Sequence, residues 1–121
     1  MPIDEIGEEL AAWGKVLRLA TYGRFSGDRA WTAIGFVERS DGTLLVAAGT
    51  ATSDWALNLR ADPRCEIQLE ESSRRCRAAE LADADRNHAI VALILKYGTP
   101  AERLGRGPAF RLIRDSQMSV A

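Results

Sequence analysis

The apolar positions change period several times along the chain, and each change marks an element. Ile3, Ile6, Leu10, Trp13 and Leu17 recur every three or four residues, the spacing that lines one stripe of a helix. Asp4 can cap it, Glu5, Glu8 and Glu9 suit its positive end, and Gly14 can close it, so residues 1–14 predict an N-terminal helix packed on or over the rest. Val16 to Tyr22 alternates apolar and polar residues as a strand does, and Gly23-Arg24-Phe25-Ser26-Gly27-Asp28 follows as a turn. Ala30 to Val37 predicts a second strand. Ser40-Asp41-Gly42-Thr43 signals a hairpin, because Asp-Gly accepts positive backbone angles. Leu44 to Ala48 predicts a third strand, apolar throughout and therefore central.

After Gly49 and a Thr/Ser loop, Asp54 to Ala61 fits two turns of helix stopped by Asp62-Pro63. Cys65 to Leu69 and Arg75 to Leu81 predict a hairpin turning near Ser72-Ser73. Asp83 caps a longer helix through about Tyr97, with Ile90, Val91, Ile94 and Leu95 on its buried face, and Gly98-Thr99-Pro100 ends it. A short polar helical stretch with Gly105 and Gly107 precedes a last strand, Phe110 to Arg114. Most connections are too short for parallel crossovers, so the pattern predicts a mainly β, α+β fold: a small barrel with peripheral helices.

A length of 121 residues suits one domain, so residues 1–121 are read as a single unit. The acidic start, Met1-Pro2-Ile3-Asp4-Glu5, lacks the basic and apolar regions of a secretory signal, and no stretch is long enough to span a bilayer; the expectation is a cytoplasmic protein. A net charge of -1 gives no general attraction to nucleic acid. All the basic residues except Lys15 and Lys96 are Arg, which is compatible with an anionic ligand. With its turn at Ser72-Ser73 the hairpin sets Cys76 opposite Leu69, roughly 13 Å along the strand from Cys65, so two free, buried thiols are expected.

His88 is the only histidine, and no nucleophile elbow accompanies it, so a Ser-His-Asp triad has no support. One His and two separated Cys supply no typical zinc site, and no metal is expected. Gly105-Arg106-Gly107-Pro108 lacks the strand before and the helix after that a dinucleotide fingerprint needs. A chain this short of acids and bases relies on a cofactor if it is an enzyme.

Two segments can hold an anionic cofactor. In the turn Gly23 to Arg29, glycines admit close backbone approach, Ser26 offers a hydroxyl, and Arg24 and Arg29 can reach phosphate or carboxylate. In Gly49-Thr50-Ala51-Thr52-Ser53, small donor-rich residues precede a helix start with its unpaired amides, although Asp54 already complements that dipole.

These segments together resemble the deazaflavin-dependent nitroreductase family. The likeness covers about Val16 to Arg114 and rests on Gly23-Arg24-x-Ser26-Gly27, on Thr32-Ala33-Ile34 where the family usually has Thr-Pro-Leu, and on Trp55-x-x-Asn58-Leu59-Arg60-Ala61-Asp62-Pro63. The resemblance implies a split β-barrel of the FMN-binding-like kind. It also implies coenzyme F420 as cofactor, with hydride transfer to a small-molecule electron acceptor such as a quinone, nitro compound or activated alkene. Arg24, Ser26 and Gly27 would contact the anionic tail, Thr32, Ala33, Ile34, Ala48 and Gly49 would border the deazaflavin ring, and Trp55 and Asn58 would support the phosphate loop. Thr50, Thr52, Ser53 and Arg29 complete the expected cofactor set, and Trp13, Tyr22, Trp31 and Tyr97 are candidate walls for the acceptor.

The chain departs from the family where Phe25 replaces a common Lys, where Arg29 falls one place early, and where Gly-Gly and His-Pro elements before Trp55 are missing. All three departures lie at the anionic end of the ligand. An FMN-binding oxidoreductase similar to the pyridoxamine phosphate oxidase group is therefore an alternative, as is a non-enzymatic barrel binding a lipid, haem or partner. A homodimer fits either. Nucleic-acid binding through Arg74-Arg75-Cys76-Arg77 ranks last, because few aromatic residues surround that run.

Overall fold

The structure is a computed structural model that describes residues 16–97 and 107–115. The helix expected over residues 1–14, with Trp13, and the polar stretch around Gly105 lie outside those residues. Within them the chain runs β1 (Leu17–Tyr22), β2 (Arg29–Ile34), β3 (Val37–Glu38), β4 (Leu44–Ala47), α1 (Asp54–Ala61), β5 (Arg64–Leu69), β6 (Ser72–Leu81), α2 (Asp83–Tyr97) and β7 (Ala109–Arg114). One seven-stranded sheet in the order β2-β1-β5-β6-β7-β4-β3 contains all the strands, and every neighbouring pair is antiparallel. The mainly β, α+β expectation holds.

The single strand expected from Ala30 to Val37 is broken. The chain leaves the ladder at Gly35 and Phe36, so only Val37 and Glu38 pair with β4.

The two faces of the sheet carry separate cores. On one, Leu17, Leu19, Leu44, Val46, Cys65, Ile67, Cys76, Phe110 and Leu112 pack with Ala56 and Leu59 of α1. On the other, Leu45, Ala47, Leu81 and Ala109 pack with Ala89, Ile90 and Leu93 of α2. β4 contributes to both, so its four residues are all buried. That two-sided burial is why its sequence is apolar throughout rather than alternating.

Ala56 and Leu59 seat α1 on the sheet. At its C-terminal end Arg60 adds a link to Glu80 of β6 through two bonds, Nε to Oε1 at 2.8 Å and Nη2 to Oε2 at 2.7 Å. Those bonds keep the Glu80 carboxyl below its usual pKa range.

The β5–β6 register corrects the sequence reading. The turn lies at Glu70-Glu71, with Glu70 in the left-handed region at φ 56, and Ser72 and Ser73 belong to the ladder. Cys65 therefore stands directly opposite Cys76. Both are free and buried, as expected. Burial raises both thiol pKa values, that of Cys76 to about 11, so neither ionises near neutral pH. Iodoacetamide should label the native protein far more slowly than it labels an exposed thiol, and both cysteines should react once denaturant unfolds the chain; mass spectrometry reads the result.

Candidate functional site

Strand β1 delivers the chain into a tight turn. Gly23 N–H donates to the Asp28 carbonyl at 2.8 Å, Gly27 N–H donates to the Gly23 carbonyl at 2.8 Å, and Gly27 sits at φ 78. A side chain is disfavoured at that angle, which explains the glycine. Ser26 Oγ accepts from the Asp28 N–H at 3.1 Å, and so shapes the turn itself. Phe25 projects at the tip, 92% exposed.

This turn is locked to α1 by Asn58. The Asn58 Oδ1 accepts from the backbone N–H of Arg24 at 3.2 Å and from Arg24 Nη1 at 2.8 Å. Its Nδ2 donates to the buried Thr21 Oγ1 at 3.0 Å. Arg24 also reaches the start of the helix, where Nη2 meets Asp54 Oδ1 at 3.2 Å. Its guanidinium offsets the carboxylate that would otherwise repel an anion at this helix start. The two sequence segments thus meet, with Arg24 committed to joining them.

The loop ahead of α1 is rich in hydroxyl groups. Ser53 is the N-cap residue but makes no side-chain capping bond. Its hydroxyl lies 3.2 Å from Thr50 Oγ1, which also approaches Thr52 Oγ1 at 3.5 Å. Gly49 borders open space, since a Cβ there would meet nothing within 4 Å. Trp55 packs its ring 5.9 Å from that of Phe110 and joins Ile34 against the α1-side core, which also contains Ala48. Trp55 anchors the helix by packing.

The other expected residues disperse. Thr32 and Ile34 share the face of β2 directed at the α1-side core, whereas Ala33 is exposed on the opposite face. Arg29 turns to Glu66, with Nη1 at 2.7 Å from Oε2. Tyr22 and Trp31 lie on that same opposite face, Tyr22 beneath the Arg64 guanidinium and Trp31 beneath those of Arg18 and Arg29.

Tyr97 stands apart from Tyr22 and Trp31, at the end of α2. Its hydroxyl accepts from the Phe36 N–H at 3.0 Å and lies 3.1 Å from the Phe36 carbonyl, to which Lys96 Nζ donates at 2.7 Å. The ring fills the space beside Gly35, where a Cβ would come within 3.0 Å of it. This clamp accounts for the break between β2 and β3. Tyr97→Phe should lose about 1 kcal/mol in urea denaturation while leaving the circular dichroism of the folded protein unchanged.

Sequence reasoning missed the support beneath the Gly49 loop. Gly107 packs its bare Cα against the backbone of Ala48 and Thr50, leaving no room for a side chain. The Ala48 N–H donates to the Pro108 carbonyl at 2.9 Å, and Arg86 of α2 donates Nε at 3.1 Å and Nη2 at 2.6 Å to the Gly107 carbonyl. A Gly-Pro pair just before a strand was the available signal.

A cavity of about 380 Å³ lies on the α2 side, lined by Arg39, Asp41, Thr43, Asp85, His88 and Arg111 among others. Its two arginines and two aspartates balance, and none of its lining residues belongs to the Gly49 loop. Among the described residues no group of His, Cys, Asp and Glu forms a metal site, and no helix is long and apolar enough to cross a membrane.

A family profile described as F420H(2)-dependent quinone reductase matches residues 3–103. The chain belongs to that family. Membership carries coenzyme F420 as the cofactor and a deazaflavin-dependent reductase activity. Three solved structures show the same split-barrel fold as this F420H(2)-dependent quinone reductase family member. An F420-H2 dependent reductase, FDR-A, has 21% identity and TM-score 0.68, with 81% of this chain and 93% of the other covered. A domain-swapped dimer has 20% identity and TM-score 0.68, covering 91% and 96%. HutZ, the heme storage protein of Vibrio cholerae, has 18% identity and TM-score 0.68, covering 94% and 91%. No curated protein matches the sequence.

The residues present fit an anionic coenzyme at the Gly49 loop. The donors there are hydroxyls and helix-start amides, the cap hydroxyl is uncommitted to the helix, and the Gly49 backbone opens to free space.

Proposed function

We propose that the chain binds reduced coenzyme F420 with its anionic end on Gly49 to Ser53 and its ring beside Thr32, Ala33, Ile34 and Ala48, and reduces a quinone. The joining of the Arg24 turn to the α1 start through Asn58 carries this reading, since it sets both anion-directed segments side by side. The coenzyme supplies the hydride when bound. The protein's own task is positioning: Thr50, Thr52 and Ser53 offer hydroxyl donors, Asn58 fixes the two segments, and Trp55 with Phe110 holds α1 against the sheet. No side chain needs to gain or lose a proton for that role. Ser26 and Gly27 extend the anion-binding rim in this reading, whereas Arg29, held by Glu66 on the other face of β2, stands outside it. Nitro compounds and activated alkenes are further acceptors, and a single cytoplasmic domain or its homodimer is the form we assign; Tyr22 and Trp31, on the other face of the sheet, and Tyr97, bound to the Phe36 backbone, stand away from the assigned ring position.

The test is titration of purified protein with F420 and with FMN, followed by fluorescence, and then oxidation of reduced F420 by a soluble quinone. Micromolar binding of F420 with quinone-dependent turnover is expected. A protein that is yellow as purified and takes FMN in preference would overturn the cofactor assignment, and one that binds neither would remove the enzyme reading.

A further inference from the structure

We infer that Arg86 is a positioning residue for the coenzyme loop, acting from the far side of the sheet through Gly107. The inference rests on the proposed placement of the coenzyme at Gly49 to Ser53.

Arg86 belongs to α2, whose packing face serves the core opposite to the one beneath α1. It spends two donors on one carbonyl oxygen, that of Gly107, at 3.1 and 2.6 Å. A double, charge-assisted grip on a neutral backbone acceptor is a strong restraint on that peptide. The next links are steric and backbone contacts. Gly107 lies against Ala48 and Thr50 so closely that a Cβ would stand 2.7 Å from the Thr50 carbonyl oxygen. Pro108 receives the Ala48 N–H at 2.9 Å. The peptide that Arg86 holds therefore forms the floor under the first residues of the loop. Gly49 itself has open space on its other side, so the floor is what sets its height.

The arrangement explains two sequence choices at once. Position 107 must be glycine to let the floor approach, and position 86 must carry a forked donor to hold the floor there. Lysine offers one point charge where arginine offers two aligned N–H groups.

The experiment compares wild type with Arg86→Met, Arg86→Lys and Leu93→Ala. Leu93 is buried in the same α2 core two turns further along the helix, and its truncation destabilises without touching the loop. Three readouts are taken well below each melting temperature: F420 affinity, the KM and kcat of quinone reduction, and amide hydrogen exchange at Ala48. Arg86→Met should weaken F420 binding about tenfold, the scale of one lost charge-assisted bond. It should also raise the KM for reduced F420 more than it lowers kcat, and speed exchange at Ala48. Arg86→Lys should recover part of each effect. Leu93→Ala should match or exceed the loss of thermal stability while keeping F420 affinity. Wild-type affinity and wild-type Ala48 exchange in Arg86→Met would overturn the inference, as would equal weakening in Leu93→Ala. If wild type binds no F420, the proposed function fails instead, and Ala48 exchange still decides whether Arg86 holds the loop.

Discussion

Gly107→Ala is expected to destabilise the protein by about 1–3 kcal/mol, the usual cost of forcing an extra methyl group into a filled space. The added carbon would overlap the Ala48 carbonyl and stand 2.7 Å from that of Thr50. Both neighbours are backbone, so no side chain can swing away to absorb the contact. Relief requires Gly107 to withdraw from the loop, which strains the Arg86 bonds and the Ala48 to Pro108 bond, or requires the loop to rise. Either movement disturbs the segment to which the coenzyme's anionic end is assigned. Urea denaturation should show a lower midpoint at unchanged slope, and F420 titration should show weaker binding. Wild-type values for both would mean that the approach of Gly107 to the loop is looser than the structure describes.

Asn58→Ala is the second large effect. Asn58 is 5% exposed and serves three partners: Thr21 through its amide nitrogen, and the backbone and side chain of Arg24 through its oxygen. Truncation leaves the Thr21 hydroxyl, itself 1% exposed, without that donor, and costs about 2 kcal/mol. The β1–β2 turn also loses its attachment to α1, keeping only the exposed Arg24 to Asp54 contacts. Asn58→Asp separates these consequences. A carboxylate keeps the acceptor for Arg24, and the Thr21 hydroxyl can rotate to donate to it, so this variant should retain more stability and more F420 affinity than Asn58→Ala. Equal losses in the two variants would argue that the acceptor does not organise the turn.

The elements whose residues carry a local reason for their shape were legible in the sequence. Asp54 to Ala61 showed itself by its stop at Asp62-Pro63, and Ser40 to Thr43 by Asp-Gly, whose Gly42 takes φ 86. The β5–β6 register was not legible, and the reason is parity. Moving the turn from Ser72-Ser73 to Glu70-Glu71 slides each strand by two residues, which leaves Cys65, Ile67 and Cys76 facing the same core. Hydrophobic alternation is blind to such a shift, and only the left-handed Glu70 distinguishes the two. Ser72-Ser73 looked more like a turn than Glu70-Glu71 because serine commonly closes turns by side-chain bonds. At the site, the turn and the helix start were both legible, since each has its own composition. Their interlock was not, because Thr21, Arg24, Asp54 and Asn58 meet only in three dimensions. The floor at Gly107 was hidden for the same reason: its partner Arg86 sits on a helix across the sheet.

Both arginines of the β1–β2 turn are already answered, Arg24 by Asp54 and Arg29 by Glu66. The loop to which the coenzyme's negative end is assigned is therefore made of neutral hydroxyls and amides beside cancelled charges. Such a surface exerts little pull over distances beyond a Debye length, so the coenzyme would arrive by ordinary diffusion rather than by electrostatic steering. Its grip would tighten only at contact and would change little between dilute and concentrated salt. The fold has exchanged long-range attraction for a rigid frame.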